Sequence, residues 1–553
     1  MEVIAIDMPT SPPKVDMTKK PKRMSCCQAL KKSYVEFCAT SSIHGFQYFG
    51  HSRNWKEKCF WMLVFVVSLY FCGSMIYKAY VKWHETPVIV TISEKSTPIW
   101  SIPFPAVTIC PETKRAINET VLSYSELLLG LQTYIERGEQ FSENFTSSDL
   151  EDILTLLQLC DVQTNASISS DFNAPEINFI GQLNKLLPDF RKYCFSCGWF
   201  GVETTCDRFF MKVYTDEGIC FTFNSLKATD LYREDTYQHQ ESLSNSELNI
   251  SMFNQSLTWS LEQGFTTDGV LNTYPARVLG SGTMAGFLTV LQNFAREVDY
   301  SCRYVADGFK VLLHSPDDVP SLAKHFVHIS MDKDVMIAVK PKMITTSSGI
   351  AEYPPHKRQC YLNKDRPLRY FKAYSQNNCE LECLTNFTLQ LCGCVTFYMP
   401  RSLKTPVCDS QKLNCYRQAK DQLLFQQFME GLKHPQTTLN NCDCLPACTA
   451  LDYETEISEG SFNVANTINA VASFREMHDL RPDLTMSMVW IYFKDNEFIT
   501  SRRSELYGLT DLMANFGGVC GLFMGVSLLS IIEMLYHFTL RFWWNLGHPK
   551  DKK

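Results

Sequence analysis

The residues of this 553-residue chain best placed to do chemistry are its cysteines. Ten of them, Cys360, Cys379, Cys383, Cys392, Cys394, Cys408, Cys415, Cys442, Cys444 and Cys448, crowd into one stretch. Such density serves either metal ligation or disulfide formation. Zinc modules favour C-x2–4-C pairs joined to a second pair or to histidines at set spacing. The C-x3-C, C-x-C and C-x-C-x3-C runs here do not build that module, so no metal site is expected. Disulfides are, and each closed loop is worth about 2–4 kcal/mol through the unfolded-state entropy it removes. Spacing alone does not fix their pairing.

Seventeen of the 23 cysteines lie between residues 81 and 509, a density held where thiols are oxidised. The six N-x-S/T sequons, Asn118, Asn144, Asn165, Asn249, Asn254 and Asn386, fall in the same segment and point to a luminal, then extracellular, location.

A second group of residues sits near the C-terminus. Gly517, Gly521 and Gly525 recur every fourth residue, with Gly518 beside them, so they share one face of a helix. There they allow close helix packing, approach of an ion to the backbone, or both. Glu533 is the one formally charged residue between Leu512 and Leu540. A carboxylate in so apolar a segment must face water or a partner.

These residues need elements to hold them. A bilayer core about 30 Å thick is crossed by roughly 20 apolar residues in a helix. Cys59 to Tyr77 has no formally charged residue, and Leu512 to Leu540 is the other such stretch. Residues 1–58 hold ten Lys/Arg against five Asp/Glu, and residues 541–553 hold four Lys/Arg against one Asp. Those excesses, set against the whole-chain charge of −7, leave −15 for residues 59–540. Basic ends belong in the cytosol, so both termini are placed there.

Between the spans, PVIVTI and PFPAVTIC read as strands, rich in Val, Ile and Thr and broken by prolines. Residues 207–223 and 325–345 are β-branched and alternating and fit strands of a central sheet, and 486–495 returns as a strand. Leu at helical spacing over 120–160 and 178–192 predicts short amphipathic helices at the periphery, and Gln376 to Cys448 is helical in pattern.

Five motifs stand in order along the chain: His44-Gly45, Phe104 to Cys110 (FPAVTIC), Gly218 to Asn224 (GICFTFN), YSQNNCELECLTNFTLQLCGCVTFYMPR and NFGGVCGLFMGVSLLSIIEM. In these the chain resembles the degenerin/epithelial sodium channel/acid-sensing channel superfamily, above all its insect pickpocket branch. The likeness covers nearly the whole chain.

The resemblance implies a membrane α plus α+β architecture: two transmembrane helices flanking a disulfide-rich, hand-like extracellular domain with a β-sheet palm, assembled as a homo- or heterotrimer of related subunits. The chain then divides into a cytosolic segment (1–58) with the His-Gly motif, a first transmembrane helix (59–80), the extracellular domain (81–509), a pore-lining second helix (510–540) and a cytosolic tail (541–553). Gly525, Val526 and Ser527 match the family's G-x-S selectivity filter. Ala514, Gly517, Gly518 and Gly521 fall in the pore and blocker region. Glu533 lies on the ion pathway, and His44, Gly45 and Ala514 are gating positions. The implied pairs are Cys110–Cys220, Cys197–Cys206, Cys360–Cys448, Cys379–Cys444, Cys383–Cys442, Cys392–Cys415 and Cys394–Cys408. Cys160–Cys194 is expected as an eighth, with Cys302 unpaired. Where acid-sensing members carry a tryptophan before the cysteine matching Cys360, this chain reads EYPPHKRQC, so a coupling built on that tryptophan is not expected.

The function so implied is a plasma-membrane, sodium-selective, amiloride-sensitive, voltage-independent channel subunit opened by a chemical, osmotic or mechanical stimulus. Its partners are membrane lipid and related subunits, with no nucleic acid, and Na+ is the permeant ion with no cofactor. No residue pattern identifies a gating ligand. The rival reading is a two-span receptor or non-conducting accessory subunit. An enzyme is disfavoured, because GxSxG, HExxH and P-loop motifs are missing from any plausible context. An ATP-gated channel would need clustered Lys/Arg on a facing surface, and this segment is acidic.

Overall fold

The computed structural model describes residues 25–50, 54–85, 88–115, 121–142, 144–160, 175, 177–186, 190–244, 256–266, 273–302, 306–433, 442–470, 483–506 and 508–547. Asn118, Asn165, Asn249 and Asn254, together with residues 1–24 and 548–553, lie outside them. The chain divides into two compact units, one of Met1–Ile89 with Glu505–Lys553 and one of Val90–Ser504.

The described residues of the first unit are mainly helical. Trp55–Glu85 is 31 residues long, with a mean hydropathy of 2.1 over its best window. It is long and apolar enough to cross a membrane. Leu509–Met524 and Leu528–Leu546 pass the same test only as a pair, and they are bent by 66° at the break between them. A π-helical turn over His537–Arg541 leads into Phe542–Gly547. The helix Cys26–Thr40 packs on this C-terminal stretch. Asn545 Nδ2 donates to Ser33 Oγ at 3.0 Å, Arg541 Nε to Glu36 Oε2 at 3.0 Å, and the Phe37 ring lies 5.5 Å from that of Phe538. After it the chain turns through Ser41–Phe46 into the short helix Gln47–Gly50, where the Tyr48 ring stacks on Trp61 at 4.1 Å.

The described residues of the second unit form two large sheets and a two-stranded one, Trp259–Ser260 with Gly264–Phe265. In the five-stranded one, Ala106–Pro111, Gly218–Phe223 and Phe309–His314 are buried along their whole length. This fits their near-continuous apolar sequence. Met211–Thr215 and Val327–Ile329 form its edges. The eight-stranded sheet is organised around Lys333–Thr346. That strand runs antiparallel to Ala450–Ser461 on one side and parallel to Leu484–Phe493 and Glu497–Glu505 on the other. The strands of 207–223 and of 325–345 therefore belong mainly to different sheets, not to one central sheet.

Aromatic rings join the two sheets. Phe223 stacks on Phe287 at 4.4 Å, and Phe104 meets Trp199 edge-on at 5.0 Å. Asn224, at φ 59°, donates to the Phe104 carbonyl at 2.6 Å and accepts from Ala276 N at 2.7 Å. The FPAVTIC and GICFTFN motifs thus make one packed and hydrogen-bonded joint. Cys110–Cys220 crosslinks their neighbouring strands.

The helices over 120–160 are not all peripheral. In Ser147–Leu159 the residues Ile153, Leu154 and Thr155 are fully buried. Its LEDILTLLQL sequence carries apolar side chains nearly all round, which is the pattern of a buried helix. Gln376–Cys392 and Leu413–Lys433 lie side by side, tied by Cys392–Cys415. Cys379 and Cys383, one helical turn apart, bond to Cys444 and Cys442, and Cys360–Cys448 closes the base. This ladder fastens the first helix to the returning segment 442–448, while Cys394–Cys408 closes the loop between the helices.

Two expected bridges are replaced. Cys206 bonds to Cys194 instead of Cys197, and Cys160 bonds to Cys302. In a regular strand, residues three apart point to opposite faces. Here a bulge between Cys194 and Ser196 adds a residue to Cys194–Trp199, which turns Cys194 and Cys197 to the same face. Their sulfurs are 3.4 Å apart, and Thr289 Oγ1 is within 3.5 Å of both. Cys197 is therefore the free thiol of this unit among the described residues, and Cys302 is not. The sulfurs of Cys194, Cys197 and Cys206 lie within 4.8 Å of one another, but a disulfide engages two of them.

Candidate functional site

The break in the C-terminal helix pair follows from local sequence. Leu509–Met524 ends at Gly525, whose φ of 65° is left-handed. Gly525 N donates to Gly521 O at 2.9 Å, the 5→1 bond of an αL stop, and Val526 N donates to Cys520 O at 3.3 Å. The next helix starts two residues on. Ser527 is its N-cap, and Ser530 N donates to Ser527 Oγ at 3.3 Å while Ser527 N donates to Ser530 Oγ at 3.1 Å. Gly525, Val526 and Ser527 thus form a non-helical break between two capped helix ends, inside a segment otherwise apolar.

The N-terminal turn supports this break. His44 N donates to Met524 O at 2.9 Å, so an orphan carbonyl at the end of the helix is satisfied from another part of the chain. The His44 ring lies over Gly525, where an added Cβ would come within 2.9 Å of three ring atoms. Gly45 turns the chain at φ 86°. Ser42 Oγ lies 2.6 Å from Ser530 Oγ, and Ser42 N and Oγ donate to Glu533 Oε2 at 3.4 and 3.3 Å. From the first long helix, Ser68 Oγ donates to Phe523 O at 2.7 Å.

The structure therefore brings together His44, Gly45, Gly525, Val526, Ser527 and Glu533. Glu533 is half-buried and engaged by Ser42. The serines 42, 68 and 530 were missed by sequence reasoning. Ser530 could have been found from its capping-box spacing to Ser527, but Ser42 and Ser68 carry no local signal.

Ala514, Gly517 and Gly518 lie one turn or more before the break and are exposed, and Gly521 is half-exposed. Among the described residues, a Cβ added to Gly517, Gly518 or Gly521 meets no atom within 4 Å. That face is open in the single chain. Asn144 and Asn386, the two described sequons, are both exposed.

The arrangement offers backbone and hydroxyl oxygens at a gap in an apolar helix, the ligand type that suits a small hard cation. It offers no paired nucleophile and base.

Comparison with known proteins finds similarity over nearly the whole length. The pattern of the amiloride-sensitive sodium channel family matches residues 37–537. Pickpocket protein 28 of Drosophila melanogaster is 27% identical over 523 residues, covering 93% of this chain and 79% of that protein. The sodium channel protein Nach of the same species is 24% identical, over 92% of this chain and 88% of its own. The human bile acid-sensitive ion channel is 23% identical, over 96% of this chain and 90% of its own. Nach and the bile acid-sensitive protein are channels by name, the matching family is one of channels and not of enzymes, and this chain belongs to that amiloride-sensitive sodium channel family.

Proposed function

We propose that the chain is a subunit of a plasma-membrane, sodium-selective, amiloride-sensitive and voltage-independent cation channel, with Gly525 to Ser527 as its selectivity filter. The observation that carries this reading is the capped break at Gly525–Ser527, held by His44 at the end of an exposed glycine face. Non-helical backbone within an apolar span is tolerated where it lines a water-filled cavity.

Trp55–Glu85 and the bent pair are the two spans, with both termini cytosolic and residues 81–509 extracellular. Three such subunits, of one or several related kinds, set the open glycine faces around a shared axis within the lipid. Ala514, Gly517, Gly518 and Gly521 line the outer pore and blocker region. Ser42 holds Glu533 below the filter, where three carboxylates attract cations. The stimulus that opens the pore is chemical, osmotic or mechanical.

Whole-cell recording from cells expressing the chain tests the reading. An inward current that falls when external sodium is replaced and when amiloride is added is expected. Ser527→Val should shift the reversal potential in sodium/potassium gradients. Reversal potentials unchanged in conducting Ser527→Val channels would remove residues 525–527 from the filter.

A further inference from the structure

The helix Cys26–Thr40 opens with two adjacent free thiols, Cys26 and Cys27, both exposed. One side of this helix is accounted for: Ala29, Ser33 and Phe37 are buried against the C-terminal helices. Beside that stripe, Cys27, Leu30 and Tyr34 follow at i, i+3 and i+7 and form an exposed, mostly apolar flank, with Leu30 at 49% and Tyr34 at 40%. Lys31 and Lys32 are exposed next to them.

The level of these thiols follows from the pairing. Glu36 meets Arg541 and Ser33 meets Asn545, so the two segments run antiparallel. Cys27 is six residues before Ser33, roughly 9 Å further along at 1.5 Å per residue. That carries it beyond Trp543 and Trp544, which are exposed at 74% and 60% and are of the residue type that forms aromatic belts at membrane–water boundaries. With both termini cytosolic as proposed above, the thiols stand just on the cytosolic side of such a belt, with an apolar flank leading back towards the lipid.

We propose that Cys26 and Cys27 are a site of S-acylation by a long-chain fatty acyl group. This rests on the topology given above, because the acyl-CoA donor is cytosolic. In the transfer, a Cys Sγ–acyl thioester bond forms and the thioester bond to coenzyme A breaks. The thiol proton passes to the coenzyme A sulfur, and nothing is oxidised. Juxtamembrane cysteines on an amphipathic helix suit this chemistry, and paired chains hold to a bilayer far better than one. Their place assigns them a role: they pin the helix whose other end presents Ser42 and His44 to the break at Gly525.

The test is thioester-specific mass tagging of the full-length channel from cells, in which hydroxylamine frees acylated thiols for a maleimide–polyethylene glycol label, backed by mass spectrometry of the wild-type peptide. One or two hydroxylamine-dependent tags are expected, lost in Cys26→Ser/Cys27→Ser and kept in Cys59→Ser. The acyl mass should appear on the peptide holding Cys26 and Cys27. Tags that persist in the double variant and vanish in Cys59→Ser would overturn the assignment, as would an unmodified wild-type peptide. An impermeant maleimide applied to intact cells separates the two readings. If it labels Cys26 and Cys27, the cytosolic topology has failed. If it labels them only after permeabilisation and no thioester is found, the topology stands and the acylation proposal alone has failed.

Discussion

The ring of His44 lies directly over Gly525, so close that a Cβ on residue 525 would sit 2.9 Å from its Cγ, Cδ2 and Nδ1 atoms. One motif before the helix Trp55–Glu85 and another in the bent C-terminal helix pair are thereby a single contact. Gly525 is required twice, by this approach and by its φ of 65°.

Gly525→Ala should abolish or greatly reduce sodium current at normal surface density. The left-handed backbone alone costs a non-glycine residue about 1–2 kcal/mol, and the contact with His44 adds to it. Adding His44→Ala should recover part of the loss by removing the steric share. Equal deficits in the single and double variants, measured as current per surface channel, would show that the contact is not the cause.

The loop after Phe309–His314 meets the N-terminus of Gln376–Cys392 through a buried acid. Asn377 Nδ2 donates to Asp318 Oδ2 at 3.0 Å, while Oδ1 is buried without a partner. Burial, followed by the charges of Asp317 and Asp452, pushes the Asp318 carboxyl up to about 7; hydrogen bonds from Ser375 and Asn377 act the other way. The folded state then keeps a proton that the unfolded chain releases near 3.8. Its contribution to stability is full below that pH and is lost as pH rises towards 7. Asp318→Asn should raise the thermal midpoint of the solubilised protein at pH 7.5 and leave it unchanged near pH 4. An equal shift at both pH values would contradict this titration.

Much of the fold is legible because period and composition agree. The all-buried strands of FPAVTIC and GICFTFN are apolar runs, and the stop at Gly525 is a glycine followed two residues later by a serine cap. The strand Ala450–Ser461 was not read, because its Glu454, Glu456 and Glu459 resemble a solvated turn or helix. In the sheet they guard an edge, and Glu456 is paired by Lys340 and Lys494. Likewise the partners of Gly525 and Ser530 lie about 480 residues away in sequence, at His44 and Ser42 respectively, where no periodicity reports them. The bridge to Cys206 was misassigned for a local reason: a bulge changes which residues share a face, and spacing does not reveal it.

That bulge makes a chemical prediction. Burial pushes the Cys197 thiol up to about 12, so it should resist alkylation in the native protein and react after denaturation without reductant. Peptide mapping should find Cys194 bonded to Cys206 and Cys160 to Cys302. Cys197→Ser should leave the protein folded, while Cys206→Ser should cost about 2–4 kcal/mol by opening a bridge. Recovery of Cys197 bonded to Cys206 would restore the pairing that family resemblance implies.

Ala514 tests the pore face itself. It is exposed in the single chain and lies one turn before Gly518, on the helix Leu509–Met524. If three of these helices close against one another there, each Ala514→Val copy adds methyl groups to a tight contact. Overpacking of that kind costs about 1–3 kcal/mol per site, and symmetry applies it three times at once. The open arrangement separates the helices and escapes most of the strain. A difference of a few kcal/mol is enough to invert a two-state equilibrium. Ala514→Val should therefore raise resting current several-fold and injure the cells that express it, with external amiloride rescuing them. Normal surface expression with an unchanged resting current would place Ala514 outside the closed contact.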